Sequence, residues 1–293
     1  MNTDSVKAKL KNFAEENGLT FQEVLTYYGL ERTIYRISVS NYADHFVLKG
    51  GIFLYAIYDR KYERATTDID LLARRISNSS EEMKSVFKNI LLEEVDDALV
   101  YDTKSIVVES ISEFKDYHGL NVSVTAYLDR TRIPVSIDIG FGDVIYPDAV
   151  KMDFPIILDI DPPTINAYSL ESSVAEKLEA IVRNGYLNSR YKDFYDIYII
   201  STTYSFSYTV LRRAVVETFE NRKTNITADT AAFTEDFIND PMHQSRWKSF
   251  LKKKKALVDV SLTEAISKIK AFSTPLLKED QVSKWDHKAG LWK

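Results

Sequence analysis

Apolar residues recur at helical spacing near both ends of the chain and alternate with polar ones in its middle. Residues 4–17 and 20–36 carry the helical pattern. In the second stretch Phe21, Val24, Leu25, Tyr28 and Leu30 keep an approximate 3.6-residue period behind Thr20, a predicted N-cap. Gly18 and Gly29 punctuate this region, which predicts a small helical cap packed on the strands after it. Phe46-Val47-Leu48 predicts a short strand, Gly50-Gly51 a tight turn, and Ile52 to Tyr58 a helix that starts at once. Thr67 to Ala73 predicts the next strand and Ser77 to Val95 an amphipathic helix. Residues 104–111, 120–128 and 132–139 are rich in β-branched side chains and predict strands, the last two joined as a hairpin through Asp129-Arg130-Thr131. Ile156 to Ile160 predicts one more strand.

Pro162-Pro163 marks a change of character. Beyond it the pattern is helical over 170–184, 190–200, 207–222, 241–255 and 261–272. The chain therefore reads as α+β: a first domain, 1–163, around a mixed or antiparallel sheet with N-terminal helices, and an all-helical second domain, 164–293. No internal repeat is present, and Lys252–Lys255 is the one low-complexity run.

Composition narrows the class. At 293 residues and 45% apolar the chain is large enough for two ordinary domains and is not disordered. It has no cysteine, which removes disulfides, thiolate metal ligands and thiol nucleophiles. No apolar run approaches the ~18 residues of a membrane helix, and the N-terminus lacks a signal-peptide core, so the chain reads as cytosolic with no membrane partner. Residues 241–293 hold 12 Lys and Arg against 5 Asp and Glu, a net of +7; the rest hold 26 against 38, a net of −12. An acidic body with a basic segment suits an enzyme that collects cations in one place and a polyanion in another. The same numbers also fit a solvated helix face.

Candidate chemistry centres on Lys49 to Leu71. A strand, a glycine turn and a helix start make an anion site, because free backbone N–H groups and the helix dipole face the ligand. In a strand, residues i and i+2 share a face, so Asp68 and Asp70 project together. Two parallel carboxylates repel unless cations sit between them. A pair of magnesium ions answers that need and leaves room for substrate phosphates. Two solvated aspartates at a strand end are the plainer alternative. Asp138, in Val135-Ser-Ile-Asp-Ile-Gly, is a lone carboxylate in an apolar strand and needs a partner or a metal. Of only nine glycines, four (Gly50, Gly51, Gly140, Gly142) flank these segments, which favours a metal–nucleotide site. Arg64 and Lys49 can neutralise phosphate or pair on the surface. Asp143 reads as a turn cap. Lys177, Asp193 and Asp196 form either a salt-bridge network between helices or a phosphate grip. Lys248 and Lys252–Lys255, interleaved with Trp247 and Phe250, read as a phosphate-contacting patch with a stacking residue or as a solvated helix side. The four histidines have no metal-ligand spacing.

VLKGGIFLYAIYDRKYERATTDIDLL, SIDIGFG and EKLEAIVRNGYLNSRYKDFYDIYII, in that order, resemble the AbiEii/AbiGii toxins, nucleotidyltransferases of bacterial abortive-infection and toxin–antitoxin pairs. The resemblance spans about residues 46–200. It implies a DNA polymerase β-like nucleotidyltransferase core followed by a helical domain. It implies that Gly50 and Gly51 hold the triphosphate of an NTP, that Asp68, Asp70 and Asp138 bind Mg2+, that Lys177 is the third-motif lysine, and that Asp193 or Asp196 is the last acidic position. It implies nucleotide transfer to the 3′ end of tRNA, a block of translation, and a cognate antitoxin. Many relatives have Ser or Thr directly after the double glycine; this chain has Ile52, which leaves only the backbone to hold phosphate there. Two rival expectations remain: the same chemistry on a protein or small-molecule hydroxyl, and an NTP-binding regulator without catalysis.

Overall fold

A computed structural model describes residues 1–59, 66–114, 117–253 and 258–293, with backbone alone at 112–114 and 117–118. It divides into two units, Met1–Gly142 with Val150–Ala167, and Asp143–Ala149 with Tyr168–Lys293. The fold is the expected α+β.

The first unit runs α1 (Thr3–Glu16), α2 (Phe21–Val39), β1 (Phe46–Lys49), α3 (Gly50–Ile57), β2 (Asp68–Ala73), α4 (Ser80–Leu91), β3 (Leu99–Phe114), β4 (Tyr117–Leu128), β5 (Thr131–Phe141), β6 (Val150–Asp153) and β7 (Thr164–Ala167). The strands form one mixed sheet in the order β3-β4-β5-β2-β1-β7-β6, with β2/β5 and β1/β7 parallel. Strand β5 shows why the sheet has two different faces. Ile133, Val135, Ile137 and Ile139 are buried, while Arg132, Pro134, Ser136, Asp138 and Gly140 alternate with them on the more open side. Helix α2 covers the apolar face, and Gly29 permits the approach: a Cβ there would lie 2.6 Å from Ile133 Cγ2. Thr20 caps this helix in a capping box with Glu23. Its polar residues are not all solvated. Arg36 is buried and donates to Asp97, Nη2 to Oδ1 at 3.1 Å, while Tyr28 donates to the Asp97 carbonyl at 2.8 Å.

Two strand assignments differ from the sequence reading. Residues 156–160 are not a strand; the Ile157 N–H donates to the buried Glu31 carboxylate at 2.8 Å, a side-chain tie in place of a ladder. The ladder forms instead between β6 and β7 on either side of that loop. Strand β3 begins at Leu99 rather than 104, because a register shift between Asp102 and Val107 breaks the pattern. Within it, Ser105 Oγ accepts the Thr125 N–H at 3.0 Å.

The second unit is helical, as expected: α5 (Leu170–Asn184), α6 (Tyr191–Thr203), α7 (Tyr208–Asn221), α8 (Glu235–Asn239), α9 (Pro241–Lys253) and α10 (Leu262–Lys278). A small sheet of β8 (Phe206–Ser207), β9 (Lys284–Asp286) and β10 (Leu291–Trp292) is added to it. Its core is aromatic, with Phe194, Phe219, Phe237, Trp247 and Trp285 fully buried.

Candidate active site

The glycine turn is tighter than the sequence implied. Helix α3 starts at Gly50, not Ile52, with Lys49 in the extended N-cap position. Gly50 has φ +67°, and a Cβ there would collide with the Asp70 carboxylate. Only glycine meets both conditions. The Gly51 N–H, one of the free donors of the helix start, donates to Asp70 Oδ2 at 3.2 Å. Ile52 points into the core at 1% exposure, so no side-chain hydroxyl contact is replaced there.

Strand register sets the rest. Lys49 pairs with Asp70, Asp70 with Asp138, Asp138 with Asn121, and Asn121 with Glu109. Directly opposed residues share a face, so these five form one row across β1, β2, β5, β4 and β3. At about 4.8 Å per strand the row spans roughly 19 Å. Asp68 lies two residues earlier on β2, beside Ser136 in the next row. Ile69 and Leu71 alternate with Asp68 and Asp70 and are buried on the opposite face. Asp68, Asp70 and Asp138, distant in sequence, are thus neighbours on one half-exposed surface.

Asn121 holds Asp138 in place. Its Nδ2 donates to Asp138 Oδ1 at 2.7 Å and to Ser136 Oγ at 2.8 Å, and its Oδ1 accepts from Ser123 Oγ at 2.8 Å. With both amide ends engaged, the orientation of the Asn121 side chain is determined by its partners. The sequence reading missed Asn121, although LNVSVTAYL shows the signal: Asn121, Ser123 and Thr125 form the polar half of a clean alternation.

The donor set at 68, 70 and 138 consists of hard oxygens, which suits magnesium. Asp70 is turned toward Gly51 and Asp138 toward Asn121. Among the described residues no group of three acidic or histidine side chains is gathered closely enough to hold a metal. The chemistry of the set fits the ion, and ligation by all three requires carboxylate rotation.

Lys177, Asp193 and Asp196 lie in the second unit and meet one another. Lys177 Nζ is 2.7 Å from Asp196 Oδ2 and 3.3 Å from Asp193 Oδ1; Arg190 Nε donates to Asp193 Oδ2 at 2.7 Å. Asp193 and Asp196 are buried. Burial alone would raise the Asp193 pKa, but the charges of Lys177 and Arg190 outweigh it and bring it down to about 2. The arrangement is a salt-bridge network between α5 and α6, one of the two readings the spacing allowed. A second network has no counterpart in the sequence reading. Arg222 reaches Asp143 at 2.9 Å, Glu176 at 3.2 Å and Glu179 at 3.0 Å, all in the second unit. Asp143, half-buried with its side chain 4% exposed, is therefore an ion-pair partner and not a simple turn cap.

Arg64 lies outside the described residues, as do Lys254 and Lys255. Lys248, Lys252 and Lys253 are exposed on α9. Trp247 is not available for stacking on a ligand: it is 1% exposed and its Nε1–H donates to the Val260 carbonyl at 2.7 Å. The indole faces the aromatic core because it belongs to the apolar side of α9, opposite the lysines.

Comparison with known proteins adds a family. Residues 32–271 match the family model described as "Nucleotidyl transferase AbiEii toxin, Type IV TA system". No curated protein matches the chain. Among solved structures, a Helicobacter pylori protein described as a candidate nucleotidyltransferase aligns at 14% identity over 89% of this chain and 97% of its own, with a TM-score of 0.47. The JHP933 protein of Helicobacter pylori aligns at 14% identity over 86% of this chain and 90% of its own, with a TM-score of 0.46.

Proposed function

Since the chain belongs to the AbiEii family of nucleotidyl transferase toxins, we propose that it transfers a nucleotide from an NTP to the 3′ end of tRNA with release of pyrophosphate, and so blocks translation. The observation that carries this reading is the register that sets Asp70 beside Asp138 and next to the Gly50-Gly51 turn. The N–H groups at the start of α3 bind the triphosphate, and Lys49, at that turn, offsets part of its charge. Asp68, Asp70 and Asp138 would hold Mg2+, which when bound neutralises phosphate charge and lowers the pKa of the attacking hydroxyl. Asp138, braced by Asn121, sits on the acceptor's side of the row and orients the 3′-hydroxyl. The hydroxyl oxygen bonds to the α-phosphorus as the bridge to the β-phosphate breaks; pyrophosphate departs and the hydroxyl proton passes to solvent. Catalysis here consists of positioning and charge neutralisation.

Lys177, Asp193 and Asp196 have their charges engaged with one another and serve as an ion-pair network within the second unit. The reading includes a cognate antitoxin and a cytoplasmic site of action. No helix among the described residues is long and apolar enough to cross a membrane. The test is incubation with each α-labelled NTP and total tRNA. Label on tRNA that disappears with Asp70→Asn supports the reading. Label on protein alone, or on nothing with any NTP, refutes it.

A further inference from the structure

One row below the carboxylates, toward the start of β5, the polar face of the sheet opens into a cavity of about 510 Å³. That is within the usual range of small-ligand sites, roughly 300–1,000 Å³. Hydroxyl groups of Ser105, Ser123, Thr125 and Ser136 line it, Asp68 stands at one end and Arg132 at the other. Val107 and Pro134 add apolar surface, and Val107 is 50% exposed. Arg132 is exposed, and its Nη2 donates to Thr125 Oγ1 at 3.3 Å. Among the described residues it enters no ion pair. Arg132 and Ser136, the register partner of Asp68, are four positions apart on β5, a span of about 13 Å. A ligand that touches both ends is elongated and carries an anionic group at the end away from the carboxylates.

The position in the sheet identifies the side of the reaction. The Gly50-Gly51 turn is on β1 and α3, and the cavity is lined mainly by β5, β4 and β3, with Asp68 of β2 and Thr26 of α2 at its margin, so that Asp70 and Asp138 lie between turn and cavity. In-line displacement requires the leaving pyrophosphate and the attacking hydroxyl on opposite sides of the phosphorus. With the triphosphate over α3, the acceptor enters from the β5 side. We propose that this cavity binds the 3′-terminal nucleotide of an RNA acceptor, an inference that rests on the function proposed above. Its ribose hydroxyls meet the serine and threonine side chains, its base lies against Val107 and Pro134, and a backbone phosphate further upstream meets Arg132, since one nucleotide is shorter than the span. The hydroxyl lining suits RNA because the 2′-OH can both donate and accept.

The test is equilibrium binding of fluorescent tRNA to the full chain at several salt concentrations, run beside the transfer assay. Arg132→Gln should lower the slope of log affinity against log salt by about 0.7, the loss of one single-strand phosphate contact. Val107→Trp, which fills the cavity from its rim, should weaken binding about tenfold without altering the slope. Thermal melting of both variants checks that the fold is kept. Binding of tRNA that neither variant alters, or no tRNA binding by the wild type, overturns the proposal. If both variants behave as expected while the wild type transfers no label, the cavity stands as an RNA site and the transfer reading alone fails.

Discussion

The two units use the same kinds of charged residue in opposite ways. In the first, Asp68, Asp70 and Asp138 lie half-exposed on adjacent strands, like charges side by side, two of them held by neutral N–H donors. In the second, Asp193, Asp196, Glu176 and Glu179 are mostly buried, and each faces a lysine or arginine. Burial without a cation is too costly for a carboxylate, so the second arrangement explains itself as structure. The first does not: its acids lie half-exposed on the sheet at the mouth of a glycine turn, where burial gives no reason for them. Acidic clusters are thus sorted by what neutralises them, and sequence spacing alone does not reveal that.

Four substitutions set the two kinds of cluster apart. Asp138→Asn should reduce nucleotide transfer by about a thousandfold, several kcal/mol of barrier, and leave the melting temperature unchanged or slightly higher, because a like-charge contact is relieved. A large loss of stability instead would place Asp138 with the structural acids. Arg222→Met removes the shared cation of Asp143, Glu176 and Glu179 and should cost about 3–5 kcal/mol in urea unfolding; an unaffected midpoint would show that the network is not structural. The pH dependence should also separate the units. The folded Asp193 pKa is depressed from 3.8 to about 2, so its contribution is present above pH 3.8 and lost as pH falls through 2. That contribution is about 2 kcal/mol, and unfolding of Asp193→Asn compared with wild type at pH 5 and pH 2 measures it. An equal acid loss in both proteins would count against the ion pair. The smallest effect is expected at Asn121. Asn121→Ala should lower transfer about 10- to 100-fold, as loss of an outer partner does, with little change in tRNA binding. A matching loss of tRNA affinity would move Asn121 from a positioning role to an acceptor contact.

Much of this was legible in the chain. The alternation in 132–139 sets Asp138 on the face opposite the core isoleucines, and the i, i+2 spacing does the same for Asp68 and Asp70. The glycines mark the turn because only glycine accepts φ +67° against a carboxylate. The features that escaped were decided by contacts distant in sequence. Ile156 to Ile160 has the composition of a strand, but the buried Glu31, more than a hundred residues earlier, holds it as a loop. The pairing of Asn121 with Asp138 depends on β4/β5 register. Trp247 looked like a stacking residue because its lysine neighbours were visible and its indole's partner, the Val260 carbonyl, was not. Asp143 stood solitary in the sequence, and only the fold brings Arg222 to it from the end of α7.

The hydrogen bond from Gly51 to Asp70 makes the protein a rival to its own guest. A donor that would greet a phosphate is already shaking hands with an aspartate, and only a swing of that aspartate frees it. A polyphosphate arriving bare must evict a like-charged incumbent, whereas one escorted by a cation offers the incumbent somewhere better to go. Under the proposed function, nucleotide and ion would arrive as a couple, because both compete for the contacts of one carboxylate.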